Sequence, residues 1–139
     1  MSDNYSLIIK NGSCYIDGKF QKIDLALSGN KIKKVGKIDL NSGKVFDATG
    51  KIVLPGAIDT QVHFREPGAN DAENLESGSR AAVAGGITSV FEMPNTNPPT
   101  STFKEFNNKL SAARNRMFCN YAFYFGATPD NMKELASVN

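Results

Sequence analysis

After Pro55-Gly56 the sequence changes rhythm, and strand-like apolar runs begin to alternate with helix-like segments. The run Ile52-Val53-Leu54-Pro55-Gly56-Ala57-Ile58 predicts a buried strand. Asn70 and Glu73 have capping-box spacing for a helix start; Leu75, Ser79, Ala82 and Val83 supply its inner stripe, and Gly85-Gly86 ends it. Ile87 to Met93 predicts a second strand, stopped by Pro94. Thr102 with Glu105 opens a second helix, in which Phe103, Phe106, Leu110 and Ala113 recur at helical spacing. Phe118 to Phe125 predicts a third, aromatic-rich strand, and Thr128 followed by Pro129 starts a further helix. Such alternation implies a parallel α/β sheet with right-handed crossovers. Parallel sheets are covered on both faces, whereas three strands alone leave two open edges. A (β/α)₈ barrel needs roughly 250 residues, so the expectation is the N-terminal part of a larger enzyme, with a complete three-strand domain as the alternative.

The residues before this point follow a different rule. Tyr5 to Lys10 stops at Asn11-Gly12, and Cys14-Tyr15-Ile16 stops at Asp17-Gly18, both tight-turn dipeptides. Lys22 to Leu27 alternates with period two and breaks at Ser28-Gly29-Asn30; Lys31 to Gly36 and Lys44 to Asp47 follow. These segments predict a small antiparallel β-module with one wet face and solvated lysines.

Composition narrows the class. With 139 residues, 40% hydrophobic and 22% charged, the chain suits a soluble globular domain able to bury a core. A net charge of +2, mixed along the chain, gives no argument for nucleic acid or an anionic membrane as partner. No stretch approaches membrane-spanning length, and the N-terminus lacks the basic and apolar regions of a signal peptide, so a cytoplasmic address is expected. Cys14 and Cys119 stand far apart among apolar neighbours, which favours buried free thiols over a disulfide.

Chemistry concentrates after the first apolar run. If that run continues as a strand, Asp59, Gln61, His63 and Arg65 share one face, with Thr60, Val62 and Phe64 on the other. His63 is the only histidine of the chain. Polar groups tolerate such a position when they pair, bind a metal or line a pocket. Gln61 to Gly68 and Pro94 to Pro99 both fall beyond the carboxyl ends of strands, where parallel α/β sheets bind their ligands.

Pro55-Gly56-Ala57-Ile58-Asp59 followed by His63-Phe64-Arg65-Glu66-Pro67-Gly68 resembles the first-strand signature of the dihydroorotases, in the amidohydrolase superfamily. Ser77-Gly78-Ser79-Arg80-Ala81-Ala82, Gly85-Gly86-Ile87-Thr88 and Met93-Pro94-Asn95-Thr96-Asn97-Pro98 continue the pattern in order. The resemblance implies residues 1–54 as a β-sandwich segment and residues 55–139 as the first three β/α units of a metal-dependent (β/α)₈ barrel. It implies one or two zinc ions and the reversible interconversion of N-carbamoyl-L-aspartate and dihydroorotate in pyrimidine synthesis. It further implies His63 as a zinc ligand, Arg65 as the grip on the substrate carboxylate and Asn95 as its hydrogen-bonding partner there. Without the resemblance, His63 is a hydrogen-bonded core or rim residue, Arg65 a surface partner of Glu66, and Asn95 a turn residue after Pro94. Asp59 fits a strand-end hydrogen bonder, and Arg80 with Glu76 a helix-surface contact.

Gln61 departs from the pattern, because the family has histidine there. An amide oxygen is a weaker zinc ligand than imidazole. No catalytic residue of the family falls within these residues, so the 139-residue chain is expected to be inactive alone. The competing expectation is a dihydroorotase-like chain that has lost metal ligands and serves as a structural partner of aspartate carbamoyltransferase; a homodimer is the other assembly the resemblance admits.

Overall fold

Two different strand chemistries sort the chain into two compact units, Met1–Pro55 and Gly56–Asn139. The computed structural model describes residues 4–39 and 43–138. In the first unit, seven short strands run in order: β1 (Leu7–Lys10), β2 (Ser13–Ile16), β3 (Lys19–Lys22), β4 (Asp24–Ser28), β5 (Lys31–Gly36), β6 (Lys44–Asp47) and β7 (Ile52–Val53). They form a four-stranded sheet, β5-β4-β1-β6, and a three-stranded sheet, β3-β2-β7. Asp17 and Gly18 both take positive φ, 50° and 78°, the backbone of a hairpin turn whose twist suits the flanking strands. That turn brings back β3, a strand absent from the sequence expectation because Lys19-Phe20-Gln21-Lys22 is mostly polar and exposed. The module is also not purely antiparallel: β6 runs parallel to β1, and β7 parallel to β2. Tyr5, Ile8, Ala26 and Ile38 form its buried cluster.

The apolar run 52–58 is not one strand. Ile52 and Val53 pair with β2, Leu54 to Gly56 lie outside any strand, and β8 (Ala57–Val62) belongs to the second unit. Pro55 has no N–H for a ladder, which breaks the run where hydrophobicity alone would continue it. Ile52, Leu54 and Ile58 remain 65%, 60% and 62% exposed, so the expected burial of this run does not hold either.

The second unit continues with α1 (Leu75–Ala84), β9 (Ile87–Glu92), α2 (Phe103–Ala113), β10 (Asn120–Phe123) and a single-turn α3 (Met132–Leu135). Its sheet has the order β10-β9-β8 with both pairs parallel. Phe64, Leu75, Val90, Ala113 and Phe123 form the core under the two longer helices. The α1 cap is four residues later than the sequence spacing suggested. Asn74 accepts from the Ser77 N–H at 2.9 Å, and Ser77 Oγ accepts from the Asn74 N–H at 3.1 Å, while the Asn70 side chain is taken by the Gly68 N–H. Val83, placed in the inner stripe by its spacing, is exposed. Thr102 caps α2 as expected through the Glu105 N–H. The last helix begins at Met132 rather than after Thr128, because the Asn131 carboxamide accepts the Thr128 N–H and holds that segment in a turn. The third strand is likewise shorter than 118–125.

Candidate active site at two strand ends

The polar residues meet beyond the carboxyl ends of β8 and β9. β8 ends at Val62, and the pairing of β8 with β9 shifts register between Asp59 and Val62. Within that irregular stretch an Asp59 carboxylate oxygen accepts the Gln61 N–H at 2.9 Å. Arg65 has φ of 60°, so the chain has left extended geometry before reaching it. The expected four-residue polar column on one strand face is therefore not present as such; Asp59 and Gln61 lie in the strand, His63 and Arg65 in the loop.

The loop is nonetheless firmly held. Phe64 points into the core and packs against Gly78 of α1, where a Cβ atom would collide with the ring. The next acid, Glu66, is buried and accepts the Leu75 N–H at 2.9 Å. Its two carboxylate oxygens receive Arg116 at 2.8 and 3.0 Å, a bidentate pair. The Arg116 guanidinium holds the Glu66 carboxyl below the usual carboxylate range, with the Leu75 N–H adding to the effect against the pull of burial. Thus Glu66 does not pair with Arg65. Among the described residues Arg65 has no acidic partner and its side chain is exposed.

From the other strand end comes Asn95, whose Oδ1 lies 2.9 Å from Nδ1 of His63. Two backbone bonds tie the loops, Met93 N–H to the Val62 carbonyl at 3.0 Å and Asn97 N–H to the Pro67 carbonyl at 3.1 Å. Gly68, at φ of 114°, lets the two loops approach, since a Cβ there would meet Asn97 at 2.7 Å. Arg65, Gly68, Asn95 and Thr96 line a cavity of about 170 Å³ between the loops. It carries cationic and amide groups suited to a small anion.

Beneath the site lies a pair that sequence reading passed over. Glu92 and Lys109 are 1% and 3% exposed, with Nζ 2.9 Å from Oε2. The contact is close but off hydrogen-bond alignment, so both charges are paired without being fully satisfied. Burial pushes the Glu92 carboxyl up, against the opposing pull of Lys109. A signal existed for both residues. Glu92 sits two residues after Val90 on the same strand face, and Lys109 falls between Phe106 and Leu110 in the buried stripe of α2.

Gln61 is exposed, and among the described residues no three His, Cys, Asp or Glu side chains come together as a metal group. His63 and Gln61 do not by themselves amount to a zinc site, which takes three or four protein donors. Both cysteines are free thiols, Cys14 buried and Cys119 partly so, and burial pushes both up.

The chain is similar to known proteins along nearly its whole length. A dihydroorotase of Methanosarcina mazei is 41% identical over 132 residues, covering 91% of this chain and 29% of the relative. An allantoinase of Desulfitobacterium hafniense is 38% identical over 134 residues, covering 95% of this chain and 30% of the relative. In structure, the L-hydantoinase (dihydropyrimidinase) of Arthrobacter aurescens superposes with a TM-score of 0.87 at 30% identity, over 94% of this chain and 30% of that one. The chain thus spans about 30% of the length of such relatives. Residues 52–137, which contain both strand-end loops and every side chain described at the site, match the amidohydrolase family, and the chain belongs to it.

Proposed function

We propose that this chain supplies the substrate-carboxylate wall of a cyclic-amide hydrolase of the dihydroorotase type, interconverting N-carbamoyl-L-aspartate and dihydroorotate. One observation carries the reading. Arg65 stands without an acidic partner among the described residues, beside an Asn95 whose carbonyl oxygen is already engaged by His63. A guanidinium and a carboxamide NH₂ are then the open donors at the mouth of the cavity. Planar, bidentate donation suits a carboxylate. The similarity to an allantoinase leaves two ring substrates in play, and Arg65 favours the one that carries a carboxylate before the ring opens, which allantoin does not. Zinc is the metal proposed for the complete site, with the ligands beyond His63 contributed from outside the described residues. No hydrolytic step is assigned to the residues present.

Ligand titration followed by NMR tests the reading. Dihydroorotate should shift the Arg65 and Asn95 signals, allantoin should not, and Arg65→Met should abolish the response. Equal responses to both ligands would remove the carboxylate assignment. The chain by itself is expected to show no turnover of dihydroorotate with added zinc, and measurable turnover would overturn that expectation.

Gln61 favours a second reading, since it replaces a strong donor by a weak one on an exposed strand position. On that reading the chain belongs to a metal-poor relative that serves as a structural partner of aspartate carbamoyltransferase. Stoichiometric zinc in the purified protein would count against it; a metal-free, stable complex with the transferase would support it.

A further inference from the structure

The His63–Asn95 contact has chemical direction. Oδ1 of a carboxamide can only accept, so a 2.9 Å contact with Nδ1 places the ring proton on Nδ1 and leaves the lone pair on Nε2. Both partners are held from behind. Phe64, next to His63, is locked against α1, and Pro94, before Asn95, accepts the Thr100 N–H at 2.9 Å. Thr100 is 1% exposed, so the turn that carries Asn95 is anchored in the interior.

The geometry points to Asn95 as a positioning residue that sets the tautomer of His63 and presents Nε2 as the electron-pair donor of the site. The inference deepens, and rests on, the reading of His63 and Asn95 as site residues, and gives Asn95 a duty separate from substrate contact. The same carboxamide serves both sides: its oxygen orders the imidazole, and its NH₂ is thereby turned to the cavity. A carboxylate drawn to that NH₂ polarises the amide and strengthens the bond to His63. The opposite arrangement, with the carboxamide flipped so that Nδ2 donates to Nδ1, would demand the Nε2–H tautomer.

Because His63 is the only histidine of the 139 residues, its two ring nitrogens give the only imidazole signals of this chain. Long-range ¹H–¹⁵N correlation on the ¹⁵N-labelled chain, recorded below the concentration at which it associates, reads the tautomer of the neutral ring directly. The wild-type ring is expected in the Nδ1–H form. Asn95→Asp, which can still accept, should keep that form, whereas Asn95→Leu should return the ring to the Nε2–H form that free imidazole side chains favour in water. A wild-type ring in the Nε2–H form overturns the inference whatever the variants do. So does an unchanged ring in Asn95→Leu whose backbone spectrum is preserved. Dihydroorotate separates this from the broader reading. An Nδ1–H ring that reverts in Asn95→Leu, with Arg65 and Asn95 signals indifferent to dihydroorotate, upholds the tautomer assignment and overturns the carboxylate reading of the site.

Discussion

Glu66 and Arg65 are neighbours in sequence and opposites in use. A carboxylate that takes one backbone N–H and both arms of Arg116 has little left to offer, which frees Arg65 for the cavity side. Adjacency offered Glu66 as the alternative partner of Arg65; the guanidinium that Glu66 takes lies 50 residues on, and Arg65 itself has a left-handed backbone. The Glu66 carboxyl is lowered, so its stabilising contribution is fully present above the ordinary glutamate value of about 4.3 and is lost as pH falls through its folded value. Glu66→Gln should therefore lower the free energy of urea unfolding by about 1–3 kcal/mol at neutral pH. The gap between variant and wild type should close in acid. A gap unchanged down to strongly acidic pH would disprove the linkage.

The helices show how local signals and tertiary demands divide the work. The spacing of Asn70 and Glu73 put the start of α1 too early, and burial of Leu75 together with the Asn74–Ser77 reciprocal bonds fixes it four residues later. Asn74→Ala is expected to cost about 1 kcal/mol, measured by thermal or urea unfolding. The β9–α2 contact holds the larger stake. Lys109→Met alone leaves the Glu92 charge buried without its counter-ion and should destabilise by about 3–5 kcal/mol. Adding Glu92→Met should recover most of that loss, because the remaining site is apolar and already includes Phe123, whose ring lies 5.5 Å from the ammonium. A double variant as unstable as the single one would show that the pair contributes more than its own desolvation. Hydrophobic period located β9 and α2, and the Thr102–Glu105 spacing located the cap of α2; neither could announce that a strand acid and a helix lysine would meet, since each looks polar when counted separately.

On the scale of the molecule, the alternation after Gly56 was legible because strand, helix and strand each carry their own period, and the strand-end position of the loops followed from it. The first unit was less so. The parallel pairings of β6 with β1 and β7 with β2 depend on long connections that leave no local mark. In the second unit the outer edges of β8 and β10 have no partner strand among the described residues, and Ile58, Phe118 and Tyr124 are exposed. In the first unit Phe20, Ile32 and Phe46 are likewise at least half exposed. Unpaired edges beside apolar surface promote association. The 139-residue chain is accordingly expected to self-associate with rising concentration and to bind a hydrophobic dye, both checked by light scattering and fluorescence. A chain that stayed monomeric and dye-silent at high micromolar concentration would contradict this.

The Phe64 ring resting on Gly78 also sets a rule for drift among related sequences. Bulk at the two positions is limited as a sum rather than site by site, so a methyl group added at Gly78 must be met by a loss of ring volume at position 64. Because the position before Phe64 is His63, a helix residue that touches nothing at the site thereby limits how far the imidazole can retreat.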